Sequence, residues 1–133
     1  MTFLKLTLVA VLAASLAGCE SATVKSIQQD LKTLFQMPKG GQDLANGIKQ
    51  YEDANYGEAA RLLQSALDQG LGRDDQVKAH KYLAFMHCVS GRPTQCRNEF
   101  RKALDADPDF VLQPAEAGHP LWGPVFTSVK ARR

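Results

Sequence analysis

Two histidines and two cysteines crowd one stretch of this chain: His80 and His87 lie seven residues apart, Cys88 follows the second histidine, and Cys96 comes eight residues later. On a helix, positions seven apart share a face, so two imidazoles and a thiolate would stand in a row as ligands for a transition metal. The spacing matches none of the usual zinc patterns. A metal carrier or enzyme built on His80, His87 and Cys88 is therefore an alternative set behind the readings developed below. His119, directly before Pro120, reads as a loop residue. The sequence offers no Ser/His/Asp constellation, no paired catalytic carboxylates and no phosphate-cradling glycine loop, so the expectation is a protein that is not an enzyme and needs no cofactor.

The third cysteine, Cys19, stands in a different chemical setting. Residues 1–18 carry one positive charge, Lys5, and then an apolar run from Leu6 to Leu16 with no acidic residue. A run of about eleven residues is the layout of a secretory signal and falls well short of a bilayer span. Leu16-Ala17-Gly18-Cys19 resembles the lipobox of bacterial lipoproteins, a bulky apolar residue and two small ones before a cysteine. The resemblance implies cleavage before Cys19, lipidation of its thiol, and anchoring to a membrane by several acyl chains, each methylene contributing about 0.8 kcal/mol. Glu20 follows where inner-membrane lipoproteins of enteric bacteria often carry aspartate, which implies the outer membrane, periplasmic face.

The rest of the composition is that of a folded domain. Of 133 residues, 44% are hydrophobic and 23% charged, values that exclude wholesale disorder and a multi-span membrane protein. Lys and Arg number 16 against 14 acidic residues. Such a balance, with charges mixed in sign, lacks the basic stripe that nucleic-acid binding requires, so no nucleic-acid partner is expected.

Two segments superpose at a spacing of 37 residues: GIKQYEDANYGEAARLLQSAL from Gly47, and AFMHCVSGRPTQCRNEFRKALDADP from Ala84. Each has a small residue early (Gly47, Ala84), a small residue further on (Ala59, Cys96), a large apolar residue beyond that (Leu63, Phe100), and then Ala-Leu. The pattern resembles the tetratricopeptide repeat, a helix-turn-helix unit. It implies an all-α fold of two such hairpins, with the extra residues of the spacing absorbed at Gly70-Leu71-Gly72-Arg73. Small residues let the helices of each hairpin approach, Gly47 against Ala59 and Ala84 against Cys96, while Leu63, Leu83 and Phe100 fill the core. Gly91-Arg92-Pro93 makes the second turn with Thr94 as the cap, and Asp107-Pro108 ends the following helix.

Flanking elements complete the expected architecture. Val24, Ile27, Leu31, Leu34 and Phe35 share one face of a helix near residues 23–35, broken by Met37-Pro38-Lys39-Gly40-Gly41. Phe110 to Pro114 reads as extended, and Pro120 opens a closing helix through Val125, Phe126 and Val129 that caps the stack. The expected domains are a cleaved signal over 1–18, a lipid-anchored segment with one helix over 19–41, and a helical-repeat domain over 42–133. In the repeat register Cys88 and Cys96 face each other across the Gly91 turn. In an oxidising compartment they form a disulfide, or else remain two buried thiols.

The resemblance also implies a function. Tetratricopeptide proteins hold a peptide or partner protein on the concave face made by the first helix of each pair. Here that groove would present Leu44, Ile48, Tyr51 and Glu52 from the first unit. Lys78, Lys81, Tyr82 and Phe85, with Val89 at the edge, would come from the second, and Trp122 and Phe126 would form the alternative surface. The expected partner is a protein of a cell-envelope complex, with the membrane reached through lipid on Cys19. The leading expectation is a scaffold or assembly factor for a type VI or type II secretion system or a type IV pilus. An adaptor for peptidoglycan enzymes is the alternative.

Overall fold

The computed structural model describes residues 39–133, together with Ile27 alone, and among the described residues there is no strand. Ile27 is helical and exposed. The expected helix over 23–35, the signal and Cys19 otherwise lie outside the described residues. The helices are α1 (Lys39–Glu52), α2 (Tyr56–Asp68), α3 (Arg73–Val89), α4 (Pro93–Ala106), α5 (Pro114–Ala117) and α6 (Gly123–Ala131). The class is all-α, as the sequence implies.

The first pair is an antiparallel hairpin, because its contacts widen outward from the turn. Gly47 lies against Leu63, and nearer the open end Gly40 lies against Ala66 and the Gly70 carbonyl. Asp43 accepts hydrogen bonds from Ser65 Oγ and Gln69 Nε2, both at 2.6 Å, which fixes the same register at the surface. The second pair, α3 and α4, closes in the same way. Cys88 and Cys96 are joined by a disulfide beside the turn, with Cα atoms 5.2 Å apart, and His80 meets Glu99 further from it. Of the two states left open for these cysteines, the structure takes the oxidised one.

The two turns repeat each other bond for bond at the 37-residue spacing. Ala54 N–H donates to the Tyr51 carbonyl and Asn55 N–H to that of Gln50; Gly91 N–H donates to the Cys88 carbonyl and Arg92 N–H to that of His87. Next along, Ala59 N–H bonds the Asn55 carbonyl as Cys96 N–H bonds that of Arg92. Burial follows the same register: Ala59, Leu63 and Ala66, like Cys96, Phe100 and Ala103, are wholly inaccessible to solvent.

The turns differ at the residue that reverses the chain. Gly91 takes φ of 68°, which glycine adopts freely, whereas its counterpart Ala54 takes φ of 60° with a Cβ attached. A left-handed alanine costs roughly 1 to 2 kcal/mol. Ala54→Gly is therefore expected to stabilise the fold by about 1 kcal/mol, seen as a higher urea midpoint at unchanged m-value. A lower midpoint would show that this turn is not left-handed in solution.

Two apolar clusters form the core. One gathers Leu44, Ala59, Leu63, Leu71, Leu83 and Met86 around the first hairpin, and the other gathers Phe85, Phe100, Leu104, Leu112, Trp122 and Phe126 around the second. Tyr51 and Tyr82 pack against both and so join them. The closing helix α6 packs on α4, with Phe126 edge-on to Phe100 at 5.2 Å between centroids. A terminal hairpin needs such a cover, because its outer apolar face has no further neighbour.

Several local expectations are corrected. Lys39, Gly40 and Gly41, assigned to a helix break, form the first turn of α1, inside the segment assigned to 19–41; the rest of that break lies outside the described residues. A Cβ on Gly40 would stand 2.6 Å from the Ala66 carbonyl oxygen, so glycine here marks a close helix approach. Gly47 faces Leu63, not Ala59, with only 2.9 Å available to a Cβ. The cap of α4 is Arg92, with Pro93 at the first position, where its missing N–H is harmless; Thr94 therefore lies inside the helix. The closing helix starts at Gly123, after a turn that contains Pro120, and the Phe110–Gln113 stretch, which has no regular structure, leads into the unforeseen short helix α5.

Candidate interaction site

Aromatic residues of α1, α2, α3 and the C-terminal segment form a continuous ladder. Tyr56 meets Tyr51 at 5.6 Å between ring centroids, Tyr51 meets Tyr82 at 5.0 Å, and Tyr82 meets Phe85 at 6.0 Å. Phe85 then stacks on Trp122 at 4.3 Å, and His119 covers the other side of that indole at 3.3 Å. The ladder runs from an exposed end, Tyr56, through the half-buried Tyr51 and Tyr82, to a buried end at Phe85 and Trp122. Edge-on and offset contacts of this kind hold the rings in fixed directions.

Burial pushes the Tyr51 and Tyr82 phenols above the usual tyrosine range, and nearby groups, including the Glu116 carboxylate, add to it. Both hydroxyls therefore stay protonated at neutral pH and can donate hydrogen bonds to a carbonyl or carboxylate. Glu52 and Lys78, from the same helices, are exposed.

The residues assigned to the groove differ in exposure. Tyr51 and Tyr82 lie partly open, Glu52 and Lys78 lie open, and Ile48 is half-buried against the core. Val89 is exposed at the end of α3. Leu44 and Phe85 are core residues, not groove residues, at 5% and 2% exposure. Leu44 turns toward α2 in the first cluster; Phe85 is covered by the chain's own C-terminal segment. Trp122 and Phe126 are buried in that contact and offer no alternative surface.

Lys81 is covered by the same segment. Its ammonium pairs with Glu116 at 2.5 Å and lies 4.7 Å from the centre of the Tyr82 ring. Glu116 is held in turn, because its other oxygen accepts the Gln113 N–H at 2.9 Å and its carbonyl accepts the Trp122 indole N–H at 2.8 Å. Between α3 and the Phe110–Gln113 stretch lies a cleft of about 270 Å³ whose walls include Val77, Lys78, Lys81 and Val111. The sequence reading missed Glu116, although an acidic residue three after the residue before Pro114 is a helix-start signal that points its carboxylate back along the chain.

His80 is tied into an ion-pair network, whereas the buried His87 Nδ1 has no hydrogen-bond partner among the described residues. His80 Nδ1 lies 2.7 Å from Glu99 Oε2, and Lys102 donates to the other carboxylate oxygen at 2.8 Å. Burial alone would push the Glu99 carboxyl up, but the bonds from His80 and Lys102 outweigh it and hold Glu99 below the usual carboxylate range. His87 is pushed down, first by burial and then by the Arg92 charge, so it is neutral at pH 7. Among the described residues no group of three or more His, Cys, Asp and Glu is placed to hold a metal ion. Cys88, the thiol of the metal reading, is in the disulfide.

No protein-family profile, curated protein or solved structure matches the chain at a significant level.

Proposed function

We propose that the chain is a lipid-anchored, periplasm-facing protein of the tetratricopeptide-repeat type. In this reading it holds a partner protein of a cell-envelope machine, a type VI or type II secretion system or a type IV pilus. The observation that carries the reading is the half-open Tyr56–Tyr51–Tyr82 ladder on paired hairpins whose turns repeat at 37 residues. Tyrosine presents a large rigid surface at low entropic cost and is enriched at the centres of protein interfaces. An apolar side chain of the partner would pack over the joined Tyr51 and Tyr82 rings, its neighbouring carbonyls accepting from the phenols, while Glu52 and Lys78 select charge at the rim. Because the C-terminal segment already covers Phe85 and Lys81, the accessible groove is short and suits one or two anchoring residues.

A photo-cross-linking residue placed at position 56 tests this in cells, with the exposed Gln64 of α2 as the comparison site. A discrete adduct from position 56 and none from 64 is expected. Tyr56→Ala should weaken capture of that partner by about 2 kcal/mol, roughly 30-fold in Kd, with the melting temperature nearly unchanged. Equal adducts from both positions, or none from 56, would remove the ladder as the binding surface.

A further inference from the structure

Four arginines gather where α4 passes the end of α6. Arg97 and Arg101 are one turn apart on α4, Arg132 and Arg133 follow α6, and together with Asp105 and Ser128 they line a cleft of about 230 Å³. The charges do not balance. Arg133 pairs with Asp105, and Arg101 donates to the neutral Asn98 at 3.0 Å. Among the described residues, Arg97, Arg101 and Arg132 have no carboxylate partner.

Like charges four residues apart on a helix repel each other and destabilise it, so this clustering works against the fold. A guanidinium presents a planar fork that matches the oxygens of a phosphate or carboxylate, and several forks converging on one cleft match a group with several oxygens and at least two negative charges. A single carboxylate would leave most of the excess charge in place. The Ser128 hydroxyl adds a neutral donor, and the buried Val129 forms an apolar part of the wall.

We propose that this cleft is an anion site that binds a phosphoryl group, supplied either by a membrane lipid headgroup or by a soluble phosphorylated molecule. The site is separate from the tyrosine ladder, and its binding does not depend on lipid at Cys19. Each charge-assisted hydrogen bond lost weakens binding by about tenfold or more.

The full chain, purified in a neutral detergent, would be titrated with pyrophosphate by calorimetry and melted with and without it. Micelles doped with phosphatidylglycerol form the second arm. Binding is expected in at least one arm, to be weakened at least about tenfold in the Arg97→Gln, Arg101→Gln double variant, and to be kept in Arg61→Gln, whose charge is paired with Glu58 on α2. The ligand-free double variant should melt no lower than the parent, since the substitutions relieve repulsion. Binding of pyrophosphate alone identifies a soluble source, and binding of the doped micelles, competed by pyrophosphate, identifies a headgroup. If the parent binds in neither arm, or the Arg61→Gln control loses as much as the double variant, the proposal is overturned.

Discussion

Phe100→Ala is expected to destabilise the fold by about 3 to 5 kcal/mol, and Phe85→Ala by a comparable amount. Phe100 is wholly inaccessible to solvent and lies edge-on to both Phe85 and Phe126, so its loss opens a void at the meeting of α3, α4 and α6. Phe85 is 2% exposed and stacks on Trp122, so its loss also releases the C-terminal segment from α3. Against the 5 to 15 kcal/mol that holds a typical domain together, either change removes a large share. Urea unfolding of the two variants beside Tyr56→Ala checks the ranking, since the exposed Tyr56 should shift the midpoint little. A Phe85→Ala midpoint close to the parent's would mean that Trp122 does not cover this face in solution, and Phe85 would return to the groove. A double-mutant cycle with Trp122 isolates the stacking, with a coupling of about 0.5 to 1.5 kcal/mol expected.

The fate of Phe85 shows what the sequence could and could not convey. The second helix of each pair was legible, because Ala59, Leu63 and Ala66 and their partners Cys96, Phe100 and Ala103 fall on one stripe and leave the opposite face polar. The first helix of the second pair was not. Its buried residues, Val77, Ala79, Leu83, Ala84, Phe85 and Met86, go most of the way round the helix. It packs against α1, α2 and α4, and Phe85 meets the C-terminal segment as well. A helix buried on several sides leaves no polar stripe to say which apolar side chain faces a groove. The glycines failed for a related reason: Gly40 reads locally as a helix breaker, and only the approach of α2 explains why a side chain is excluded there.

Ion pairs were still less legible, since they depend on distant segments. Lys81 and Glu116 are 35 residues apart, and His80 and Glu99 meet across the hairpin. Lys81, assigned to the groove from the sequence, has its charge neutralised by Glu116 in the structure. In the proposed groove the Tyr51 and Tyr82 phenols are flanked by the exposed Glu52 and Lys78, so the proposed recognition would rest on aromatic packing and hydrogen bonding more than on net charge.

Cys19→Ser is expected to abolish fatty-acid labelling and release the chain from the membrane, an all-or-none effect. The expectation rests on Leu16-Ala17-Gly18-Cys19 behind an apolar run too short to span a bilayer. Among the described residues no helix is long and apolar enough to cross a membrane, so residues 39–133 supply no helical span as a substitute anchor. Several acyl chains would hold the parent through an alkaline carbonate wash, at about 0.8 kcal/mol for every buried methylene. A partner held only by the tyrosine ladder or by salt-sensitive contacts would not survive that wash. The measurement is therefore labelling with an alkyne fatty acid followed by fractionation of washed membranes, for the parent and for Cys19→Ser. Density-gradient separation of the parent would then test the outer-membrane assignment that rests on Glu20. A labelled Cys19→Ser chain, or an unlabelled one that stays in the washed membrane, would show that the cysteine is not the anchor. In that case the proposed periplasm-facing scaffold would need another means of attachment.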